Sequence, residues 1–144
     1  MKILIFGLPG SGKTTLAKPF AELIDAVHIN ADEVRTHYDD WDFSPEGRMR
    51  QAFRMRHLSE GVVRAGRIVV TDFVCPTEES RLAFAPDYTV WMDTIKEGRF
   101  ADTNKMFETP TKYNYRVSEW FTDTHIVLKD VLVGYQNRVK NVSK

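Results

Sequence analysis

Residues 7–15 read GLPGSGKTT, set between the apolar stretch KILIF (2–6) and LAKPFAELI (16–24), whose apolar residues have helical spacing. The order is strand, glycine loop, helix, and the loop follows the pattern Gly7-x-x-x-x-Gly12-Lys13-Thr14. Chains built this way hold phosphate. Glycines let backbone N–H groups curl around phosphate oxygens, and the helix that begins at Gly12 turns its positive end toward them. Gly7, Leu8, Pro9, Gly10, Ser11, Gly12, Lys13, Thr14 and Thr15 are therefore the candidate ATP-binding residues. Lys13 is expected to reach the β- and γ-phosphates, and the Thr14 hydroxyl to take Mg²⁺. The loop does not say which group receives a phosphate.

Periodicity places the remaining elements. AVHI (26–29) reads as a second strand, EVRTHY as a short helix that Asp32 can cap, and DDWDFSPEG as a loop. A helix over about 46–65 is expected to turn Met49, Ala52, Phe53, Leu58 and Val62 inward and to end at Gly66. Pro19 is expected to bend or shorten the first helix. RIVVTDF (67–73) and YTVWMD (88–93) read as strands three and four, with CPTEESRLAF a turn and helix between them. Residues 95–116 are polar without a clear period and read as a lid or loop. THIVLKD (124–130) reads as a fifth strand and VLVGYQNRVK as a closing helix. Strands alternating with helices imply a parallel sheet covered on both faces, with ligands outside the carboxyl ends of the strands. One domain over 1–144 is expected.

Charge and cysteine usage narrow the function. Twenty basic and twenty acidic side chains leave no net charge, so nothing global draws the chain to nucleic acid or to a membrane. No apolar run is long enough to span a bilayer. MKILIFG has the charge-then-apolar order of a leader, but its apolar run is four residues long and reads as a core strand. Cys75 is the single cysteine, which excludes an internal disulfide and fits a reducing, cytoplasmic location. The four histidines lack metal-ligand spacing. Arg50, Arg54 and Arg64 read as a wetted helix face.

Asp32 stands where the second strand meets the carboxyl edge of the sheet. A carboxylate there can orient or deprotonate an acceptor hydroxyl, hold Mg²⁺ through water, or only cap a helix. Asp72, ending strand three, is either metal support or a salt-bridge partner. In FSPEGR, Phe43 lies on a loop and Arg48 on the first turn of the next helix. An exposed ring there suits a planar base, and core packing is the alternative.

At these stretches the chain resembles the adenylylsulfate (APS) kinases. That family carries a GLSGSGKS-type loop, then DGDNxR, FSPEDRxxNIRR, a strand ending in a FISP-type turn, and KxFTG. Here the same order reads GLPGSGKTT, NADEVR, FSPEGRMRQAFR, DFVCPTEESR and KMFET, over residues 3–110. The resemblance implies that Phe43 and Phe107 sandwich an adenine. It implies that Arg35, Arg48 and Gln51 hold the phosphosulfate, and that Val74, Cys75 and Lys105 line the same pocket. It makes Lys13 and Asp32 the catalytic pair. Asn30, Glu33, Gln51, Cys75 and Glu78 depart from the family pattern. The basic lid is shortened to about 95–111, keeping Arg99 and Lys105.

The sequence thus predicts an α/β protein of the P-loop kinase fold, a five-stranded, mostly parallel sheet with helices on both faces. With ATP and Mg²⁺ it is expected to phosphorylate the 3′-hydroxyl of APS, giving PAPS, with ATP and APS as partners and homodimer formation left open. Two alternatives stand: a kinase of another hydroxyl, such as a polynucleotide 5′ end or a small metabolite, and a nucleotide-binding module with little turnover.

Overall fold

A computed structural model describes residues 1–98 and 100–142. Arg99 lies outside the described residues. Five strands, β1 (Lys2–Gly7), β2 (Val27–Asn30), β3 (Val69–Phe73), β4 (Tyr88–Met92) and β5 (Tyr115–Val117), form one sheet in the order β2-β3-β1-β4-β5. Every pairing is parallel. β1 is thus central and wholly buried, as a parallel strand covered on both faces must be.

The period-two geometry of β1 divides the interior. Ile3 and Ile5 face one layer, where α1 (Lys13–Leu23) and α6 (Thr124–Val142) supply Leu16, Ala17, Phe20, Leu128 and Leu132. Leu4 and Phe6 face the other, against Ala31 and Val34 of α2 (Ala31–Tyr38), Ala52 and Met55 of α3 (Pro45–Arg64), and Phe84 of α4 (Glu78–Phe84). A short α5 (Ala101–Met106) follows β4.

Three expectations are corrected. THIVLKD is not a strand; it is the first part of α6. Its β-branched residues suggest extension, yet Thr124, Leu128 and Leu132 are buried four residues apart while Ile126 and Val127 are exposed. The fifth strand is instead Tyr115–Val117, at the end of the stretch read as lid or loop, where Val117 alone is fully buried and too few residues carry a period. Phe53 is 54% exposed, because α3 buries the row Gly47, Gln51, Met55 and Ser59 with Ala52 beside it. α1 also continues through Pro19 to Leu23.

The α6 assignment has a direct check. Leu128→Ala is expected to cost about 2–5 kcal/mol, and Ile126→Ala at most about 0.5 kcal/mol, measured by denaturant unfolding. A strand would place both residues on one face, so comparable losses would contradict the helix.

Candidate functional site

β1 ends at Gly7, where backbone and neighbour nearly touch: a Cβ there would stand 2.6 Å from the Met92 carbonyl oxygen of β4. The chain then loops over the sheet edge and enters α1 at Lys13. No side chain caps α1, so the N–H groups of its first turn remain open toward the cleft. Lys13 is nearly buried and donates from Nζ to the Leu8 carbonyl at 2.9 Å. Thr94 Oγ1 donates to the Ser11 carbonyl at 2.7 Å, tying the loop to the segment after β4. The Ser11 hydroxyl is buried without a partner. An uncapped helix start, a buried ammonium and an unpaired hydroxyl on one glycine loop fit an anion such as a phosphate chain.

Burial lowers the Lys13 pKa from 10.5 to about 8, against the opposing pull of the Asp72 and Asp32 carboxylates. Between those values the unfolded chain keeps a proton that the folded chain has released. The stability of the ligand-free protein should therefore rise as pH climbs from about 8 toward 10.5. Lys13→Met is expected to flatten that part of the profile, measured as denaturation midpoint against pH. Equal slopes in both proteins would contradict this assignment.

Beneath the loop, Asp72 at the end of β3 is 2% exposed. Its Oδ1 accepts from Thr14 Oγ1 at 2.9 Å and from Asn30 Nδ2 at 2.9 Å, and its Oδ2 bonds His28 Nε2. Asp72 is thus held by a hydrogen-bond network that includes the Thr14 hydroxyl. Thr14 and Asp72 fit a divalent cation of the kind nucleotides bring.

The helix cap differs from expectation. Asn30, and not Asp32, caps α2, its Oδ1 accepting from Glu33 N at 3.0 Å. This removes the capping role from Asp32, which stands exposed in the first turn and lines the cleft. The cleft has a volume of about 1070 Å³ and runs from the glycine loop across the ends of β2 and β3 to α3 and α5.

Of the predicted acceptor-side residues, Arg35, Phe43, Arg48, Gln51, Val74 and Cys75 line this cleft. Phe43 is 49% exposed, with the Arg35 and Arg48 guanidiniums 4.5 and 5.3 Å from its ring centroid. Arg35 Nη1 donates to the Asp40 and Asp42 carbonyls at 2.9 and 3.2 Å. Arg48 Nη2 reaches Thr103 Oγ1 of α5 at 2.7 Å. Gln51 is buried with its amide engaged: Nε2 donates to the Ala31 carbonyl, and Oε1 accepts from Arg54. Cys75 is 1% exposed, and burial pushes its thiol up to about 12, so it is a packed residue.

Lys105 and Phe107 are not brought to the cleft wall. Lys105 is exposed on α5. Phe107 packs on the interior cluster with Phe73 and Phe84, under the Arg81 guanidinium at 5.1 Å. Arg81 also donates to the Cys75, Pro76 and Glu108 carbonyls, at 3.0, 3.1 and 2.7 Å, and so ties residue 108 to the turn after β3. Phe107 is thus not among the residues that line the cleft with Phe43.

Sequence reasoning missed four residues. Trp41 lines the cleft with its ring centroid 6.4 Å from that of Phe43; adjacency to Phe43 in an aromatic-bearing loop was the available signal. Phe100 and Thr103 enter through α5, whose short span carries no period. Arg81 had no signal, because its partners are backbone carbonyls. The face given to Arg50 and Arg54 is also no idle surface. Arg50 and Arg54 both bond the Asp40 carboxylate, and Arg50 also reaches Asp42. The Arg50 and then the Arg54 bond hold the Asp40 carboxyl well below the usual carboxylate range. A Cβ at Gly47 would collide with the Asp42 backbone and carboxyl group, so glycine lets this loop fold back on α3.

Sheet order, glycine loop and flanking cleft define a P-loop α/β fold of the kinase type. The adenylylsulphate kinase family model matches residues 1–91, and the chain belongs to that family. The adenylyl-sulfate kinase of Oceanobacillus iheyensis is 35% identical over 81 residues, 52% of this chain and 41% of that protein. The chain spans under half the length of the curated relatives it matches. Solved structures share the fold, two of them as follows. An APS kinase of Mycobacterium tuberculosis, in complex with AMPPNP and APS, superposes with a TM-score of 0.76 at 18% identity, over 91% of this chain and 96% of that one. The shikimate kinase of Aquifex aeolicus gives 0.65 at 18% identity, over 96% and 98%.

Proposed function

We propose that this chain transfers the γ-phosphoryl group of ATP to the 3′-hydroxyl of adenylylsulfate, forming PAPS, in the cytoplasm. One observation carries the reading: the glycine loop, Asp32 and the Arg35–Phe43–Arg48 cluster share one continuous cleft. Family membership supports the choice of acceptor.

Each residue then has a task. The first-turn N–H groups of α1 and the Lys13 ammonium bind the phosphates and offset charge that builds on the transferred group. Thr14, with Asp72 behind it, would hold Mg²⁺, which neutralises phosphate charge when bound. Asp32, exposed to the cleft and free of its helix cap, accepts the proton of the attacking hydroxyl. Phe43 offers a face to the adenine. Arg35 and Arg48 supply positive charge for the phosphosulfate, and Val74 and Cys75 form the floor.

Following ATP consumption with APS, with a 5′-hydroxyl oligonucleotide and with neither tests the acceptor. APS-dependent turnover is expected. Lys13→Ala should lower it by about 10²–10⁴-fold, and Asp32→Asn should lower kcat with little change in nucleotide affinity. Turnover near wild type in Asp32→Asn would remove the proton-acceptor role.

Calorimetry separates the two pockets. Stacking of about 1–3 kcal/mol predicts that Phe43→Ala weakens APS binding roughly 5- to 150-fold while leaving a non-hydrolysable ATP analogue unaffected. Equal weakening of both ligands would make Phe43 a packing residue. A second reading, phosphorylation of another hydroxyl acceptor, draws on Phe107, which packs on the interior cluster under Arg81 and is not among the residues lining the cleft. Absence of heat with APS would favour it.

A further inference from the structure

Trp41 lies two residues ahead of FSPEGR, in none of the stretches that carry the family resemblance. It nevertheless stands in the cleft wall. The residues on either side of it are fastened. The Asp40 and Asp42 carbonyls both accept from Arg35. The Asp40 carboxylate takes Arg50 and Arg54, and that of Asp42 takes Arg50. Asp42 N also donates to Asp40 Oδ1 at 3.2 Å, closing a turn across Trp41. The indole takes no part in these bonds. It is 48% exposed, and Phe43 is its one aromatic or cationic partner among the described residues.

We infer that Trp41 is the surface on which the acceptor's base stacks, and so a specificity-determining residue: it selects an acceptor that carries a planar ring. The inference rests on the proposed phosphorylation of adenylylsulfate. Three observations carry it. The Phe43 ring already has two guanidiniums against it, at 4.5 and 5.3 Å from its centroid, so a base must share that ring with Arg35 and Arg48. Phe107, to which the resemblance gives the second face, is not in the cleft lining. Trp41 is, with its centroid 6.4 Å from that of Phe43 and the ring planes 51° apart. A base on the indole therefore stays beside Phe43 and keeps its anionic tail within reach of the two arginines.

The energetics favour the same occupant. An indole held in water forgoes the burial that a side chain of its size can gain. A purine laid on it recovers that gain, whereas a small aliphatic acceptor leaves most of the ring wet. Because the turn is fastened on both sides, the indole is ordered before the ligand arrives, which lowers the entropy cost of binding.

Calorimetry on the full chain with APS, and separately with AMPPNP, tests the role. Trp41→Ala should weaken APS binding by about 5- to 150-fold while AMPPNP affinity holds. Trp41→Phe, which keeps a ring, should recover most of the loss. Indole emission gives a second readout. APS is expected to quench wild type, and the quench should disappear in Trp41→Phe, where Trp91 and Trp120 remain as emitters.

Undiminished APS affinity in Trp41→Ala, equal losses for APS and AMPPNP, or a quench of the same size in wild type and Trp41→Phe would overturn the inference. APS-dependent turnover by wild type would then leave the proposed acceptor standing. If Trp41→Ala failed to fold, the emission of Trp41→Phe would still decide. Absence of heat with APS in wild type would overturn the proposed acceptor itself, and the inference with it.

Discussion

The backbone at Gly7 runs so close to the Met92 carbonyl that no side chain fits between β1 and β4. That contact sets where the central strand leaves the sheet and therefore where the glycine loop turns. α1 begins at the turn's end with its N–H groups uncapped, and its apolar face packs down on Ile3 and Ile5. Lys13 follows from the same geometry. The first residue of α1 lies beneath the loop, where burial disfavours its charge while Asp72 and Asp32 restore part of it. An anion in the loop would restore more, because an opposite charge at short range favours the ammonium.

The side of the cleft away from the glycine loop is organised by a second charge balance. Asp40 gathers Arg50 and Arg54, Asp42 gathers Arg50, and the backbone carbonyls of both gather Arg35. Isolated exposed pairs contribute little. This set is a network, and it pins the loop that carries Trp41 and Phe43 at the mouth of the cleft. Arg48 extends the connection to Thr103. Arg81 holds residue 108 against the turn after β3 from the other side. The cleft wall is thus drawn from five stretches of chain, the glycine loop, residues 30–35, 41–51, 72–76 and 100–106.

Family likeness and fold likeness have different reach here. The family model ends at residue 91, within β4. Likeness of fold reaches beyond it, at 18% identity over 91% of the chain. Packing explains the difference. β5 and α6 need apolar residues such as Val117, Leu128 and Leu132 at the right positions, and many sequences supply them. The glycine loop and FSPEGR need particular residues at particular places.

The glycine loop, the first four strands and the parallel α/β class are legible in the sequence, with Lys13, Thr14 and Asp32 marked by local spacing and Arg35, Phe43 and Arg48 by the family resemblance of the stretches that carry them. Tertiary structure alone decided what depends on contacts between distant segments. Residues 124–130 have strand-like composition, and only packing on α1 and the sheet makes them helix. Phe107 matches a motif, and only its packing on the interior cluster and under Arg81 shows that it is not part of the cleft lining. Asn30 and Asp72 are 42 positions apart, and only the β2–β3 register makes them hydrogen-bond partners. Local pattern records propensity and spacing. It holds no record of which side chain on a neighbouring strand stands opposite.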